Sequence, residues 1–433
     1  MDISIVGLGP TGCFLALALA RRGHRITVVE RDRGPVAGRW TRRGVVQFHQ
    51  PHGIRTQVVD ALRAELPDML EVVRSAGGQV LPAPGSEDVR LGIRRSVYES
   101  VFWDAVRADA RIEVLPTTAR DASYAADGRV TLVTDHGVVT SDLVLNATGR
   151  ARFLDDRRAP GLDADPGIAY ASRQYQVAER GLAAFADGQA VSGTLPGYSV
   201  MLFRQDSDVV STLFVHESAD DEFAVIRLPS AYDAVTAAVP ALASLMRPES
   251  VRPISPVHVG RRMRNVYRGR LTEADEDVTP GVVHVGDAQF SPSPMNGRGM
   301  ATSLLQARHL IDLVEAGHDV LTMARMFDEW CRAEMLPWFH VQVADDVSLV
   351  RQWHGLDLEV DGRLPPSVIA KAHADDEHYR ETINHYLDMR LPPSVLIPME
   401  PATRAKLASG WRPPFADGPS RAELLRTARA ALT

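Results

Sequence analysis

Three glycines near the start of the chain have the spacing of a phosphate-binding turn. The run reads G-x-G-x-x-G and is made of Gly7, Gly9, Pro10, Thr11 and Gly12. In this pattern the first glycine permits a tight turn, the second lets backbone approach a pyrophosphate, and the third lets helix and strand pack closely. A carboxylate, Glu30, follows and can accept hydrogen bonds from ribose hydroxyls, which disfavours the 2′-phosphate of NADP at this site.

The elements that must position these groups are also present. Residues 2–6 are an apolar run typical of a buried parallel strand, and an apolar, helix-like stretch follows the glycines and ends at Gly23. Residues 25–30 predict a second strand that ends at Glu30. Strand, turn, helix and strand together indicate a βαβ unit that binds a dinucleotide, without choosing between NAD and FAD.

Two later segments repeat the strand-then-glycine arrangement. Residues 142–150 predict a buried strand that ends in Thr148-Gly149-Arg150, after an antiparallel insertion at 129–134 and 138–141. Residues 281–288 predict another strand, which ends in Gly286-Asp287. A turn containing Pro294 and Gly297-Arg298-Gly299 then opens an apolar helix.

In this order, the three motifs resemble the FAD-dependent monooxygenases of the glutathione-reductase-like flavoprotein superfamily, of the aromatic-hydroxylase type, over roughly residues 1–335. The resemblance implies an α/β fold: a Rossmann-like FAD-binding domain, an inserted antiparallel-sheet substrate domain and a helical C-terminal tail. We expect 1–75, 90–155 and 275–335 to form the FAD-binding domain, and 76–89 and 156–274 the substrate domain. Residues 336–433 complete the chain, with loops expected at its proline pairs.

The same resemblance implies which residues hold FAD. Arg42 or Arg43 would lie near the flavin and pyrophosphate, Arg95 would open a helix that touches FAD, and Asp287 would bind a ribityl or ribose hydroxyl. The turn at 297–299 would direct N–H dipoles at the N1/C2=O edge of the flavin, stabilising its reduced anion. The full implied set is Gly7, Gly9, Pro10, Thr11, Gly12, Glu30, Arg31, Arg42, Arg43, Arg95, Gly149, Gly286, Asp287, Pro294, Gly297, Arg298, Gly299 and Met300.

The chain departs from the family pattern at places that bear on its electron source. Phe290 stands where the family usually has histidine, and Gln306-Ala307 replaces an Asp-Ala pair. Thr148-Gly149 replaces the Asp-Gly pair associated with NAD(P)H contacts, so the reductant is either NAD(P)H itself or a separate flavin reductase. The Ala-Thr-Gly-Arg form is similar to the branch that includes flavin halogenases and epoxidases.

The halogenases of that branch use a lysine in the body of the fold. The only lysines of the chain are Lys371 and Lys406. This placement argues against halogenation.

The middle of the chain predicts an antiparallel sheet that roofs the substrate. Residues 168–177, 198–203 and 209–215 alternate with period two. The alternation places Tyr170 with Ser172 and Gln174 on one side, and Arg173 with Tyr175 on the other, leaving open which side faces inward. Tyr170 and Arg173 are candidate catalytic residues, with sheet packing as the alternative.

His49 and His52 are the other catalytic candidates. They follow the expected flavin-contacting arginine closely. Either could act as a substrate base or hydrogen-bond donor, and the alternative is a turn stabilised by histidine. Two histidines without further ligands do not make a metal site.

Composition limits the remaining possibilities. The chain has 433 residues with a formal net charge of −7, so a broad nucleic-acid footprint is not expected. Two cysteines cannot form a disulfide framework or a multi-thiolate metal site. No apolar run is long enough to cross a membrane, and no basic leader precedes the first strand. We therefore expect a cytoplasmic monomer or homodimer acting on a small molecule.

The resemblance implies an enzyme that reduces FAD, reacts it with O₂ to give a flavin C4a-hydroperoxide, and transfers one oxygen atom by hydroxylation or epoxidation. An apolar cavity would protect that species. Two alternatives stay open: an FAD-dependent reductase of a prenyl or alkene substrate, and a flavoprotein whose FAD is structural.

Overall fold

A computed structural model describes residues 1–433 except 37–39, 43, 84–87, 152, 154–160, 186–190, 273–279 and 360. Its strands, in chain order, are β1 Asp2–Val6, β2 Arg25–Val29, β3 Gln79–Pro82, β4 Val89–Gly92, β5 Ile112–Leu115, β6 Ala119–Tyr124, β7 Val130–Thr134, β8 Gly137–Ser141, β9 Leu143–Asn146, β10 Leu162–Ala164, β11 Ile168–Val177, β12 Val191–Leu195, β13 Tyr198–Arg204, β14 Val209–Glu217, β15 Val251–Pro253, β16 His258–Gly260, β17 Asn265–Tyr267, β18 Val282–His284 and β19 Phe290–Ser291.

The helices complete the chain order. They are α1 Pro10–Arg21, α2 Thr56–Glu65, α3 Pro67–Ser75, α4 Arg95–Ala108, α5 Pro229–Ala238, α6 Pro240–Ala243, α7 Gly299–Glu315, α8 Val320–Trp330, α9 Leu336–Trp353, α10 Pro366–Ala372, α11 Glu377–Leu387, α12 Glu400–Ala408 and α13 Arg421–Ala430. None of the helices within the described ranges is long and apolar enough to cross a membrane.

A five-stranded parallel sheet in the order β18-β9-β1-β2-β5 forms the centre of the dinucleotide unit. Helix α1 packs beside α4 and α7 on one face, and the antiparallel sheet β6-β7-β8 covers the other through Val6, Val29 and Val144. Burial on both faces explains the continuous apolar runs of these strands. The predicted Rossmann-like core and its antiparallel insertion are confirmed.

A larger antiparallel sheet has the order β12-β13-β14-β11-β15, with β16 also paired to β11. One side packs on α5 and on α13, whose Leu424 and Leu425 are buried in that core. The predicted antiparallel sheet is therefore confirmed. The division of the chain into three sets of ranges stays a prediction.

The C-terminal region is helical beyond the long α9. The prediction of loops at two of its proline pairs is wrong. Pro366 begins α10, and Pro393 begins a 3₁₀ turn that runs to Met399. Proline suits the first turn of a helix, where its missing N–H would have no partner in any case. The pair at 413–414 does lie in a loop.

Candidate active site

A cavity of about 740 Å³ runs between the parallel sheet and the large antiparallel sheet. At one end it is lined by the glycine turn, at the middle by the segments that follow β9 and β18, and at the other end by β11, β13 and β14. The carboxyl ends of parallel strands therefore meet a sheet roof, which is where open α/β folds bind ligands.

The three glycines of the turn differ in what a side chain would meet at each position. Gly7 has φ of +97°, and a Cβ there would lie 2.7 Å from the carbonyl oxygen of Ala147. A Cβ on Gly12 would lie 2.0 Å from the carbonyl oxygen of Gly7, so Gly12 sets the approach of helix to strand. A Cβ on Gly9 would meet only the Arg42 Nη1, at 3.9 Å. The space beside Gly9 is therefore open toward the cavity, and a side chain there would fill it.

Glu30 directly follows β2, beside the glycine turn, and belongs to a buried ion cluster. Its Oε2 accepts the Leu8 N–H at 2.6 Å and faces the Arg42 Nη2 at 2.6 Å. Arg42 also binds Asp32 and Glu99, at 2.7 Å each. Burial opposes the charge of Arg42, but Glu30 and Glu99 raise its pKa above the usual value. A carboxylate has about four acceptor positions, so Glu30 keeps capacity for a ribose hydroxyl.

Arg95 extends the cluster toward the centre of the cavity. It pairs with Glu99 one helical turn along α4 and lines the cavity wall. Trp103 donates its indole N–H to the Leu8 carbonyl at 2.8 Å, and the Arg42 guanidinium lies over Trp40 and Trp103. Arg42 thus holds Glu30 in place, and both Arg42 and Arg95 line the cavity.

Asp287 lies at the middle of the cavity, where the turn after β18 meets the start of α7. A Cβ on Gly299 would be 3.7 Å from its Oδ1, and Arg150 is 3.9 Å from its Oδ2. Gly286 has φ of +69° and packs against Thr11, while its N–H donates to the Gln306 amide oxygen at 2.9 Å. Gln306, a departure from the family pattern, therefore fixes the Gly-Asp turn, and Phe290 is fully buried in the core.

The far end of the cavity is mainly apolar. Six residues of the roof and its edge are hydrophobic: Ile168, Met201, Phe203, Leu213, Val215 and Met263. Arg55 and Arg90 also line the cavity, and Arg55 donates to the Asn296 and Gly297 carbonyls of the turn before α7. Both approach the Asp388 carboxylate, Arg55 at 3.8 Å and Arg90 in direct contact. Burial, with Arg298 and Arg90 nearby, lowers the pKa of Arg55 to about 9.

The two histidine candidates occupy different places. His52 lines the cavity, and its Nδ1 lies 2.9 Å from the Gln50 carbonyl, which requires the proton on Nδ1 and leaves Nε2 as an acceptor. Burial and Arg95 lower the pKa of His52 to about 4. His49 lies outside the cavity wall and stacks on His258 with ring centroids 5.0 Å apart.

The sheet alternation separates the other two candidates. Tyr170 lines the cavity, its ring packs on Gly260, and burial raises its pKa to about 12, so the phenol is a neutral donor. Arg173 points to the opposite side, where it binds Asp233 at 2.7 Å and the Ser255 carbonyl at 3.0 Å. The structure does not bring Arg173 to the cavity.

Most of the expected cofactor residues line the cavity. They are Gly7, Gly9, Pro10, Thr11, Glu30, Arg31, Arg42, Arg95, Gly149, Asp287, Pro294, Gly297, Gly299 and Met300. Gly12 and Gly286 support it from behind. Arg298 lies behind the turn, with its guanidinium 4.8 Å from the Trp338 ring. Arg43 lies outside the described residues.

Sequence reasoning missed Arg55, Arg90 and Gln50 as cavity residues. Ser172 donates to the Gln50 amide oxygen at 2.5 Å. The local patterns around these residues carry no signal of this role, because distant elements bring them to the cavity.

These residues fit FAD. Gly9 leaves an open cradle beside the start of α1, and Glu30 offers acceptors where a ribose would lie. Gly299 and Met300 of the first turn of α7 line the cavity, and N–H groups at a helix start have no partner within the helix. Glu30, Gly9 and Asp287 would hold the two halves of the dinucleotide.

Comparison with known proteins agrees with this geometry. A family model described as FAD-dependent oxidoreductase matches residues 2–88. A kynurenine 3-monooxygenase of Salinispora tropica is 25% identical over 350 residues, covering 75% of each chain.

Solved structures have the same fold at low identity. PqsL of Pseudomonas aeruginosa, described as a probable FAD-dependent monooxygenase, superposes with a TM-score of 0.61 at 15% identity, over 82% of this chain and 98% of that one. The structure of a flavin-dependent brominase superposes with a TM-score of 0.65 at 14% identity, over 94% of this chain and 99% of that one.

Proposed function

We propose that this chain, an FAD-dependent monooxygenase, hydroxylates a small aromatic metabolite that carries a negatively charged group. The observation that carries the proposal is a single cavity that joins the glycine turn to an apolar chamber edged by arginines. An apolar chamber suits an aromatic ring and excludes water, which would otherwise divert the reaction.

The charge of the cavity wall supports an anionic ligand. Among the described residues that line it, seven are arginines, namely Arg31, Arg42, Arg55, Arg90, Arg95, Arg120 and Arg150, whereas the acids are Glu30 and Asp287. A diphosphate accounts for two negative charges at the dinucleotide end. Arg90 already contacts Asp388 and Arg95 already contacts Glu99. Because a guanidinium has five N–H donors, both would bind the substrate carboxylate through their remaining donors.

The overall reaction balances with one reductant. One atom of O₂ enters a ring C–H bond to make a hydroxyl, the other leaves as water, and NAD(P)H supplies two electrons with one further proton from solvent. FAD, when bound, supplies the two-electron chemistry that activates O₂. The protein must hold the ring carbon toward the flavin side and keep water out.

Cavity side chains can orient the substrate without exchanging protons at neutral pH. His52 is neutral there, so its Nε2 accepts a hydrogen bond from a ring hydroxyl or amine. Tyr170, also neutral, donates. Together with an arginine these contacts would fix the position of the ring.

The test is turnover of purified holoenzyme with L-kynurenine, the molecule named in its Salinispora relative. Anthranilate, and anthranilamide as its neutral counterpart, would be tested alongside. Ring-hydroxylated product carrying label from isotopic O₂ supports the proposal. Three outcomes would overturn it. A labelled epoxide formed from an alkene would favour epoxidation, and reduction of an alkene without O₂ uptake would favour a reductase. Bound FAD that takes part in no turnover would favour a structural cofactor.

Three further expectations belong to the same proposal. We expect electrons to arrive from NAD(P)H or from a flavin reductase, and the protein to act in the cytoplasm as a monomer or homodimer. The buried, unpaired Cys13 and Cys331 are compatible with a reducing compartment.

A further inference from the structure

The turn that lines the centre of the cavity is held from outside the dinucleotide unit. Pro292 to Gly297 line the cavity just before α7. Three side chains of α9 reach this turn: Asp346 accepts the Ser293 hydroxyl at 2.9 Å, Asp345 accepts the Asn296 amide at 3.1 Å, and the Gln342 amide oxygen accepts from Asn296 at 3.3 Å. The C-terminal region thus sets the position of a cavity wall.

Asp346 is the centre of this arrangement. Besides Ser293, its carboxylate accepts hydrogen bonds from the Asn265 amide at 2.8 Å and the Gln342 amide at 2.9 Å. The Asn265 amide oxygen in turn accepts the Ser293 backbone N–H at 2.5 Å. Asp346 is 1% exposed, and Asn265, Ser293 and Gln342 are fully buried. Both the backbone and the side chain of Ser293 are therefore fixed.

We propose that Asp346 is a positioning residue for the monooxygenase reaction, acting through Ser293 to hold the 292–297 turn against the bound flavin ring. The proposal rests on the proposed function for the reaction it serves. Its physical basis is the hydrogen-bond pattern, in which one carboxylate satisfies three donors that a neutral amide could not satisfy together.

The free-energy cost of burying this carboxylate in its ionised form argues against a purely structural role. Its three donors are neutral, and no cation among the described residues bonds to it. The charged groups near it are Asp345 on α9, then Arg298 and Lys371 beyond Asp345. Burial raises the pKa of Asp346 to about 6, so its ionised form costs stability at neutral pH.

The test compares Asp346→Asn with wild type, and with Asp312→Asn as a matched control at an exposed acid on α7. The amide retains the size of the side chain but directs an NH₂ group at one of the donors. We expect FAD to bind about tenfold more weakly, with a changed visible spectrum of the bound flavin. The FAD-free variant should lose little stability, because removal of a buried charge without a cation partner offsets the donor left without an acceptor, and a swapped variant should reverse any loss.

A swapped variant provides the rescue. Asn265→Asp combined with Asp346→Asn restores complementary donors and acceptors around Ser293, and should recover FAD affinity and spectrum. In wild type, FAD affinity should fall as pH drops through about 6, where protonation removes an acceptor, and this fall should be absent from Asp346→Asn.

Unchanged FAD affinity and spectrum in Asp346→Asn would overturn the proposal. So would a loss of stability in the FAD-free variant that the swap does not reverse. Because these measurements need no substrate, they hold or fail independently of the aromatic substrate proposed above.

Discussion

Arg42 and Glu30 form a buried ion pair, with 2.6 Å between Nη2 and Oε2, beneath the glycine turn. Arg42 also pairs with Asp32 and Glu99, so replacing it by methionine removes an ion-pair partner from three acids, of which Glu99 still has Arg95. We expect Arg42→Met to lower the free energy of unfolding by roughly 3–5 kcal/mol. Arg21→Met, which breaks a surface pair with Asp68, should cost below about 1 kcal/mol. Urea unfolding of both variants measures the contrast, and equal losses would contradict it.

Gly9 and Gly12 should respond differently to the same substitution. Gly9 has φ of −82° and open space above it, so Gly9→Val should fold normally while filling the pyrophosphate position. FAD affinity should fall by more than about tenfold, or ~1.4 kcal/mol. Gly12→Val instead clashes with the Gly7 carbonyl and should lower the thermal midpoint of the FAD-free protein. FAD titration with thermal unfolding separates the two, and normal FAD binding by Gly9→Val would refute the site.

Arg90 should determine affinity for the charged group of the substrate. Arg90→Gln removes a charge-assisted hydrogen bond, and we expect KM for an anionic substrate to rise by about 10–100-fold with a smaller change in kcat. The neutral amide counterpart should be affected little. Arg173→Gln is the control, because Arg173 lies on the far side of the sheet. A similar rise in KM for both substrates would argue against carboxylate recognition.

His52 should make the protein less stable in mild acid. Its pKa falls from 6.5 to about 4 on folding, so the unfolded chain binds the extra proton first as pH decreases. Stability is therefore present above about pH 6.5 and lost by roughly 1–3 kcal/mol toward pH 4. Asp346 acts in the opposite sense, since its pKa is raised.

His52→Gln isolates the histidine contribution. Its unfolding free energy should change less between pH 6.5 and 4 than that of wild type or of His136→Gln, which alters an exposed histidine. Parallel pH profiles for all three proteins would exclude His52 as the source.

Lys371 should be dispensable for turnover. Its Nζ lies 3.5 Å from the Gln352 amide oxygen, and no lysine is among the described residues that line the cavity. Lys371→Met should retain wild-type kcat, measured by O₂ uptake, with no halogenated product when bromide or chloride is supplied. Loss of activity in this variant would favour a lysine-dependent halogenation.

The sequence predicted those parts of the site that short-range patterns encode. Glycine spacing located the turn, because the close approach of Gly12 to the Gly7 carbonyl is set within one βαβ unit. Strand alternation correctly separated Tyr170 from Arg173, although it could not tell which side faced the cavity.

The other contacts join residues from distant parts of the chain. Arg90 meets Asp388, and Ser293 meets Asp346, only after the C-terminal helices pack. The same reason explains why Arg298 is not among the residues that line the cavity, contrary to expectation. Its guanidinium lies over the Trp338 and Tyr386 rings, behind the turn.

The contacts of Leu387 and Asp388 bear on the order in which the parts of the cavity form during synthesis. Arg55 donates to the Leu387 carbonyl and Arg90 contacts Asp388, so two cavity-lining arginines are held by a segment near the end of the chain. A nascent chain that has emerged only through α7 carries the glycine turn but not these contacts. Because domains tend to fold from the N-terminus as they leave the ribosome, the nucleotide end of the cavity would be ready first. The part of the cavity wall that holds Arg55 and Arg90 would be completed only after the segment around Asp388 has emerged as well.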